Sequence, residues 1–193
     1  YHGEERLWQG GEHWKSQDVV IFPVIGHAGE YKANGKTYAP KSHGVARYSE
    51  FALADMGLDY LTLELASNAV TRQTYPFDFN FTISYKLKKN SVQVTYTVRS
   101  KSGKIPFYVG GHPGMKAPGG EAVVEFENTE NPLFYPVDGG IPVRIQHMDR
   151  LVLNTDFFKT YKTYQLGSLS GGKLCAITND GYAYTYKSNC PVY

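Results

Sequence analysis

The segment between residues 79 and 99 constrains the fold most strongly, because apolar and polar side chains alternate along two consecutive runs. In "FNFTISYKL" (79–87) and "SVQVTYTVR" (91–99) every second residue is apolar. A period of two residues is that of a β-strand with one buried face, whereas an amphipathic helix requires a period of 3.6. The intervening "KKN" is short enough for a turn, so the segment predicts an antiparallel β-hairpin with one solvated face. The apolar residues expected on one face of the first run are Phe79, Phe81, Ile83, Tyr85 and Leu87.

Other short runs extend this β-pattern along the chain. "YLTLEL" (60–65) and "AVVEFE" (122–127) are predicted strands, and "KLCAITNDGYAYTYK" (173–187) is a second hairpin whose Asn-Asp-Gly turn suits positive φ. No stripe of period 3.6 continues for three turns, and 20 glycines and 10 prolines interrupt the runs at short spacing. We therefore predict one all-β domain over residues 1–193, an antiparallel β-sandwich or barrel.

Composition excludes several functional classes. The net charge of +2 is spread along the chain without a basic stripe, so we expect no nucleic-acid partner. The longest apolar run, "VVIFPVI" (19–25), is too short to span a bilayer, so we expect no membrane partner. The two cysteines, Cys175 and Cys190, form no CxxC motif, and "YHGEERLWQGG" does not resemble a signal peptide. These features predict a reduced, cytoplasmic protein, which we expect to be a monomer or homodimer.

Two histidines stand beside glycines between predicted strands. His112 lies in "GGHPG", where either the loop is a tight turn with an incidental histidine or it holds His112 open to a small ligand. His43 in "KSHGVAR" has a similar setting, whereas His2, His13 and His147 are expected to be ordinary surface or packing residues. The histidine spacings are long and irregular and no GxSxG motif occurs, so we expect neither a metal site nor a serine hydrolase.

The order of five motifs resembles that of the aldose 1-epimerase (galactose mutarotase) family, in particular its LacX-like branch. These motifs are "LWQGGEHW", "FPVIG", "YKANGKTYAPKSHGVAR", "YPFDFNFTISYKL" and "PFYVGGHPGM". The resemblance implies a supersandwich β-fold, carbohydrate binding, and interconversion of the α and β anomers of a free hexose. It also implies that no metal or organic cofactor is needed.

The resemblance assigns roles to four residues. His112 matches the acid histidine that protonates the ring oxygen, and His43 matches the histidine that contacts the ring oxygen and hydroxyls. Arg47 lies in the same motif as His43, where it either binds sugar hydroxyls or pairs with a nearby acid. His27 replaces an arginine usual after "FPxxG", which shortens that contact. The glycines beside His112 would then let a pyranose approach the imidazole.

Three departures from the family pattern leave alternatives open. Tyr161 stands where the family has an acid, with Asp156 the nearest carboxylate, and no residue matches the catalytic glutamate before the chain ends at Tyr193. No strand pair precedes "LWQG" either, so we expect that the chain lacks both family termini. The alternatives to an aldose 1-epimerase are a non-catalytic sugar-binding β-sandwich module and a plain β-sandwich with an interaction role. The sugar itself is not determined.

Overall fold

The computed structural model describes residues 3–12, 14–137 and 139–189; His2, His13 and Cys190 lie outside them. The described residues form fifteen strands and three 3-10 turns of three residues each. They group into two compact units, residues 1–115 and 116–193, each with its own sheets. No helix among the described residues has the length and hydropathy needed to cross a bilayer. The all-β, antiparallel prediction is confirmed.

The first unit contains eight strands and two 3-10 turns (Ala46–Tyr48 and Thr71–Gln73). Strands β4 to β7 form a four-stranded antiparallel sheet in sequence order, β2 and β3 form a small hairpin, and β1 pairs with β8. The strands are β1 (Asp18–Ile21), β2 (Tyr31–Ala33), β3 (Lys36–Tyr38), β4 (Ala52–Met56), β5 (Tyr60–Ala66), β6 (Phe79–Lys88), β7 (Ser91–Ser100) and β8 (Gly110–Pro113).

The predicted hairpin is confirmed as β6 and β7. Phe81 pairs with Val98, and the chain reverses through Lys89 at φ 54°. The alternation fixes which side chains share a face, but not how far each is covered: Phe81 is 0% exposed and Leu87, on the same face, is 56% exposed. Burial of this face is therefore concentrated at the end of the hairpin that holds Phe79 and Phe81.

Phe22, immediately after β1, is the centre of the core of the first unit. Its side chain is fully buried, and its ring lies 4.8 Å from that of Phe81 and 4.9 Å from that of Phe79. Its backbone carbonyl accepts hydrogen bonds from Val45 N (2.8 Å) and Ala46 N (3.1 Å), and its N donates to His43 O (3.2 Å). The core thereby anchors the turn that contains His43.

The second unit contains two further antiparallel sheets and the 3-10 turn Pro118–Gly120. The order is β12-β9-β14-β15 in one sheet and β11-β10-β13 in the other. The predicted hairpin at 173–187 is confirmed as β14 and β15, with Gly181 at φ 77° in its turn. The strands are β9 (Ala122–Glu130), β10 (Leu133–Pro136), β11 (Val143–Arg144), β12 (Met148–Leu153), β13 (Tyr164–Gly167), β14 (Lys173–Thr178) and β15 (Ala183–Lys187).

The buried carboxylate of Glu130 fastens the loop before β14. Glu130 is 2% exposed, and its oxygens accept hydrogen bonds from Ser170 N (2.7 Å), Gly171 N (2.8 Å) and Ser170 Oγ (3.2 Å). Burial opposes ionisation, but these three bonds outweigh it and lower the pKa of Glu130 below its usual 4.5. The ionised carboxylate is thus part of the folded structure.

We expect Glu130→Gln to lower stability at pH 7 by about 2 kcal/mol, because hydrogen bonds to a buried charged group are lost. Since the folded pKa is depressed, the contribution of Glu130 is complete above pH 4.5 and is lost as the pH falls through the lower folded value. Thermal unfolding followed by circular dichroism should therefore show a gap between parent and variant at pH 7 that narrows below pH 4. The exposed Glu125→Gln is the matched control, and an equal gap at both pH values would contradict the assignment.

Candidate functional site

His112 lies in a strand, and its expected placement in a loop is wrong. Residues 110–113 form β8, which pairs antiparallel with β1 so that His112 is directly opposite Val19. The hydrophobic run 105–109, which precedes it, is not a strand. Because facing residues of an antiparallel pair project to the same side, His112 lies on the face of the ribbon that carries the buried Val19.

His43 is held rigidly in a left-handed turn. Its backbone has φ 65° and Gly44 follows at φ 80°. Its N donates to Gly26 O (2.9 Å), and its Nδ1 accepts a hydrogen bond from Gly26 N (3.2 Å). An imidazole that accepts at Nδ1 carries its proton on Nε2 when neutral, so Nε2 is left as a donor.

Several causes favour the neutral form of His43. Burial lowers the pKa of His43, and the charges of His112, Arg47 and His27 lower it further, in that order. At neutral pH the ring is therefore uncharged and can donate from Nε2. His112, Arg47 and His27 thus all lie close enough to His43 to lower its pKa, although His27 and His112 are far from it in the sequence.

The rings of His43 and His112 meet nearly at right angles. Their centroids are 5.3 Å apart with an interplanar angle of 83°. His43 is half-buried, whereas the side chain of His112 is exposed to solvent. Two imidazoles this close disfavour a double positive charge, and burial of His43 disfavours its charged form. The pair can therefore present a neutral donor, His43, beside a second imidazole that is accessible to solvent.

Trp14 stacks on His112, with centroids 5.2 Å apart and ring planes 26° apart. The backbone of Trp14 is held in place, because Trp8 Nε1 donates to Trp14 O (2.7 Å), and Trp8 N donates to Gly114 O (2.8 Å), two residues after His112. Gly114 N in turn donates to Gln17 O (2.7 Å). The segment that carries both tryptophans is thus hydrogen-bonded to Gly114, the residue that follows the strand of His112.

Two of the glycines around His112 lie directly against aromatic side chains of the protein. A Cβ at Gly114 would lie 2.3 Å from Trp14 Cζ3, and a Cβ at Gly111 would lie 2.5 Å from the hydroxyl oxygen of Tyr96. Only Gly110 faces open space. Two of the three glycines therefore admit aromatic side chains of the protein itself, and the expectation that they clear space for a pyranose is wrong for those two.

Asp18, on β1, is a further charged group of this region. It pairs with Pro113, next to His112. Although its side chain reaches the surface, the surrounding protein raises the pKa of Asp18 by desolvation, and the charge of His112 partly offsets this. The pKa of Tyr96 is raised by burial and, to a smaller extent, by Tyr85 and Asp18. Asp18 is therefore a carboxylate with an elevated proton affinity beside the proposed acid.

Arg47 lies in the 3-10 turn after His43 and lines a groove of the first unit. Its guanidinium donates to Ser16 Oγ (2.9 Å) and lies 5.6 Å from the ring centroid of Tyr48. It lines a groove of about 510 Å³ together with Ser16, Asp18 and Tyr85, and neither His43 nor His112 borders this groove. The described hydrogen-bond partner of the guanidinium is thus Ser16, neither a sugar nor an acid, and the two alternatives for Arg47 stay predictions.

The remaining candidates have ordinary surroundings. His27 is exposed, and its charge is the smallest of the four causes that lower the pKa of His43. His147 is also exposed, at φ 54°, with its N bound to Asn131 Oδ1. In the second unit, Asp156 forms an exposed ion pair with Lys159 (2.7 Å), and Tyr161 packs edge-on against Tyr164.

Sequence analysis missed Trp14 and Asp18 as members of this region. Trp14 was part of a motif, but nothing in its own neighbourhood indicates a contact with residue 112. Asp18 reaches His112 only through the pairing of β1 with β8. A tryptophan and an acid a few residues before the apolar run 19–25 were the only signals available.

The fold has clear counterparts among solved structures. A galactose mutarotase related enzyme from Lactobacillus acidophilus superposes with a TM-score of 0.81 at 29% identity, covering 92% of this chain and 64% of that one. A galactose mutarotase-like protein from Lactobacillus casei superposes with a TM-score of 0.82 at 25% identity, covering 95% of this chain and 69% of that one. The chain is therefore an all-β protein with a galactose mutarotase-like fold.

Sequence comparison gives the family. The family model of aldose 1-epimerases matches residues 2–143, and the plasmid-encoded protein LacX of Lactococcus lactis subsp. lactis is 26% identical over 142 residues. The match covers 67% of this chain and 45% of LacX, so the chain spans about half the length of that relative. The chain belongs to the aldose 1-epimerase family and is LacX-like, as its motifs predicted.

Proposed function

We propose that this protein binds a free hexose beside His43 and His112 and interconverts its α and β anomers by acid/base ring opening. The observation that carries the proposal is the perpendicular pair of imidazoles, one held neutral and the other accessible. Membership of the aldose 1-epimerase family supports the reaction class. We further propose that its partner is a free sugar, that it is a monomer or homodimer, and that it is cytoplasmic.

The chemistry assigns a different task to each histidine. Opening a hemiacetal requires a proton at the ring oxygen and removal of one from the anomeric hydroxyl. His112, accessible to solvent, delivers the proton to the ring oxygen and recovers it on closure. His43, whose pKa is lowered by burial and by neighbouring charges, stays neutral and donates from Nε2 to a sugar oxygen.

We propose that Arg47 and His27 contact sugar hydroxyls, with Arg47 approaching the sugar from the groove that it lines together with Asp18, which lies beside His112. The guanidinium of Arg47 has five N–H donors, so its bond to Ser16 Oγ leaves others for a sugar. His27 is exposed beside the Gly26 that fixes His43. The family resemblance assigns the base at the anomeric hydroxyl to no residue of this sequence. We therefore expect residues 1–193 by themselves to accelerate the reaction only weakly, with water or a carboxylate substituting in part for the base.

Tryptophan fluorescence tests the binding half of the proposal, because Trp14 stacks on His112. Galactose or glucose at millimolar concentration should change the emission of the parent, and His43→Asn and His112→Gln should weaken or abolish the change. Asparagine tolerates the positive φ of residue 43, so that variant tests the side chain and not the turn. His147→Asn, also at positive φ, is the matched control. If both site variants titrate like the parent, the binding site is wrongly placed.

Polarimetry of freshly dissolved α-glucose tests catalysis. The parent should exceed the spontaneous rate, and His112→Gln should remove the excess, because losing a positioned acid costs on the order of 10²- to 10⁴-fold. Sugar binding without any acceleration would instead support a non-catalytic sugar-binding module. Equal rates in the parent and in His112→Gln, both above the spontaneous rate, would show that another residue is the acid.

A further inference from the structure

We propose that Trp14 is a positioning residue for His112: the indole fixes the plane of the imidazole and stabilises its protonated form. This inference rests on the proposed function, since it gives Trp14 a part in the proton delivery by His112. It starts from the stack itself, with centroids 5.2 Å apart and planes 26° apart. An exposed imidazole would otherwise rotate freely about its side-chain bonds, and the indole restricts it.

The surrounding chain is built to hold this indole in place. Trp8 Nε1 holds the backbone of Trp14, and Gly114 leaves the space that the indole occupies, since any Cβ there would lie 2.3 Å from Trp14 Cζ3. Gly114 is also bonded through its carbonyl to Trp8 N and through its N to Gln17 O. Trp14 itself is only half-buried. These bonds therefore fix an aromatic face beside His112 and do not simply bury a large side chain.

The chemistry of the stack favours a charged imidazole. The face of an indole is electron-rich and attracts a cation. The charged and titratable groups around the pair are Arg47 and His27, which act on His43, and Asp18 on the paired strand, whose charge interacts with that of His112. His43 itself faces His112 and is held neutral, so it places no positive charge against an imidazolium that the indole face attracts.

The test measures the titration of His112 by NMR of the imidazole protons, without sugar. Trp14→Leu keeps an apolar side chain but removes the aromatic face, and it should lower the midpoint of His112 by about half a pH unit. Trp14→Phe should restore most of the parent value. Tyr135→Leu, at an exposed aromatic residue of the second unit, is the matched control and should leave the midpoint unchanged. A parental midpoint in Trp14→Leu would overturn the inference.

A second measurement needs no substitution at Trp14. A protonated imidazole quenches a stacked indole, so the fluorescence of the parent should fall as the pH drops through the midpoint of His112, and His112→Gln should abolish this step. If the step persists in His112→Gln, the stack does not report on His112 and the inference fails. A shifted midpoint in a protein that binds no sugar would support the inference and contradict the proposed function. Sugar binding by the parent, together with an unshifted His112 midpoint in Trp14→Leu, would support the proposed function and contradict the inference.

Discussion

Replacing Phe81 with aspartate should unfold the first unit under conditions in which the parent is folded. Phe81 is 0% exposed, and its ring contacts those of Phe22 (4.8 Å), Phe51 (5.9 Å) and Tyr96 (6.3 Å). Removing a buried phenylalanine side chain alone costs about 3–5 kcal/mol. An unpaired carboxylate in the same place adds a desolvation cost, and the sum approaches the whole stability of a typical domain, about 5–15 kcal/mol.

The same strand provides the control. Leu87 lies on the same face of β6 as Phe81 but is 56% exposed, so Leu87→Asp should cost no more than about 1 kcal/mol. Urea unfolding followed by tryptophan emission reports on this unit, because both tryptophans lie in residues 1–115. A Phe81→Asp variant with a parental midpoint would mean that β6 does not pack as described.

Gly44→Ala should cost about 4 kcal/mol or more, which is exceptional for the addition of one methyl group. Gly44 has φ 80°, where a Cβ alone costs about 1–2 kcal/mol. That Cβ would also lie 2.3 Å from Phe22 O and 2.5 Å from Pro23 Cδ. The carbonyl cannot move away without losing its hydrogen bonds to Val45 N and Ala46 N. Because His43 precedes Gly44, its orientation should be lost as well.

Gly29→Ala separates the cost of the positive φ from the cost of the steric clash. Gly29 has φ 68°, and no heavy atom lies within 4 Å of a Cβ built there, so only the conformational cost of about 1–2 kcal/mol applies. Urea unfolding of the two variants should therefore differ by at least 2 kcal/mol, with sugar binding lost only in Gly44→Ala. Equal costs in the two variants would show that the close approach of Gly44 to Phe22 relaxes easily.

Local patterns sufficed to predict most of the fold. The alternation at 79–87 and 91–99 predicts β6 and β7 because the period of a strand is encoded in neighbouring residues, and the Asn-Asp-Gly turn predicts the hairpin of β14 and β15 for the same reason. Motif order also identified the family and led to His43 and His112. Their catalytic roles, and the sugar contacts of Arg47 and His27, stay predictions.

The sequence by itself thus determined the all-β class, the local hairpins and the family. Only the tertiary structure decided how the site is assembled. The four residues "GGHP" carry no alternation, and they become a strand only because β1, far earlier in the chain, supplies the hydrogen-bond partners. The same pairing brings Asp18 beside His112, and the contact of Trp14 with His112 depends on the space left at Gly114. Pairing between distant strands and steric fit are non-local, so no window of the sequence contains them.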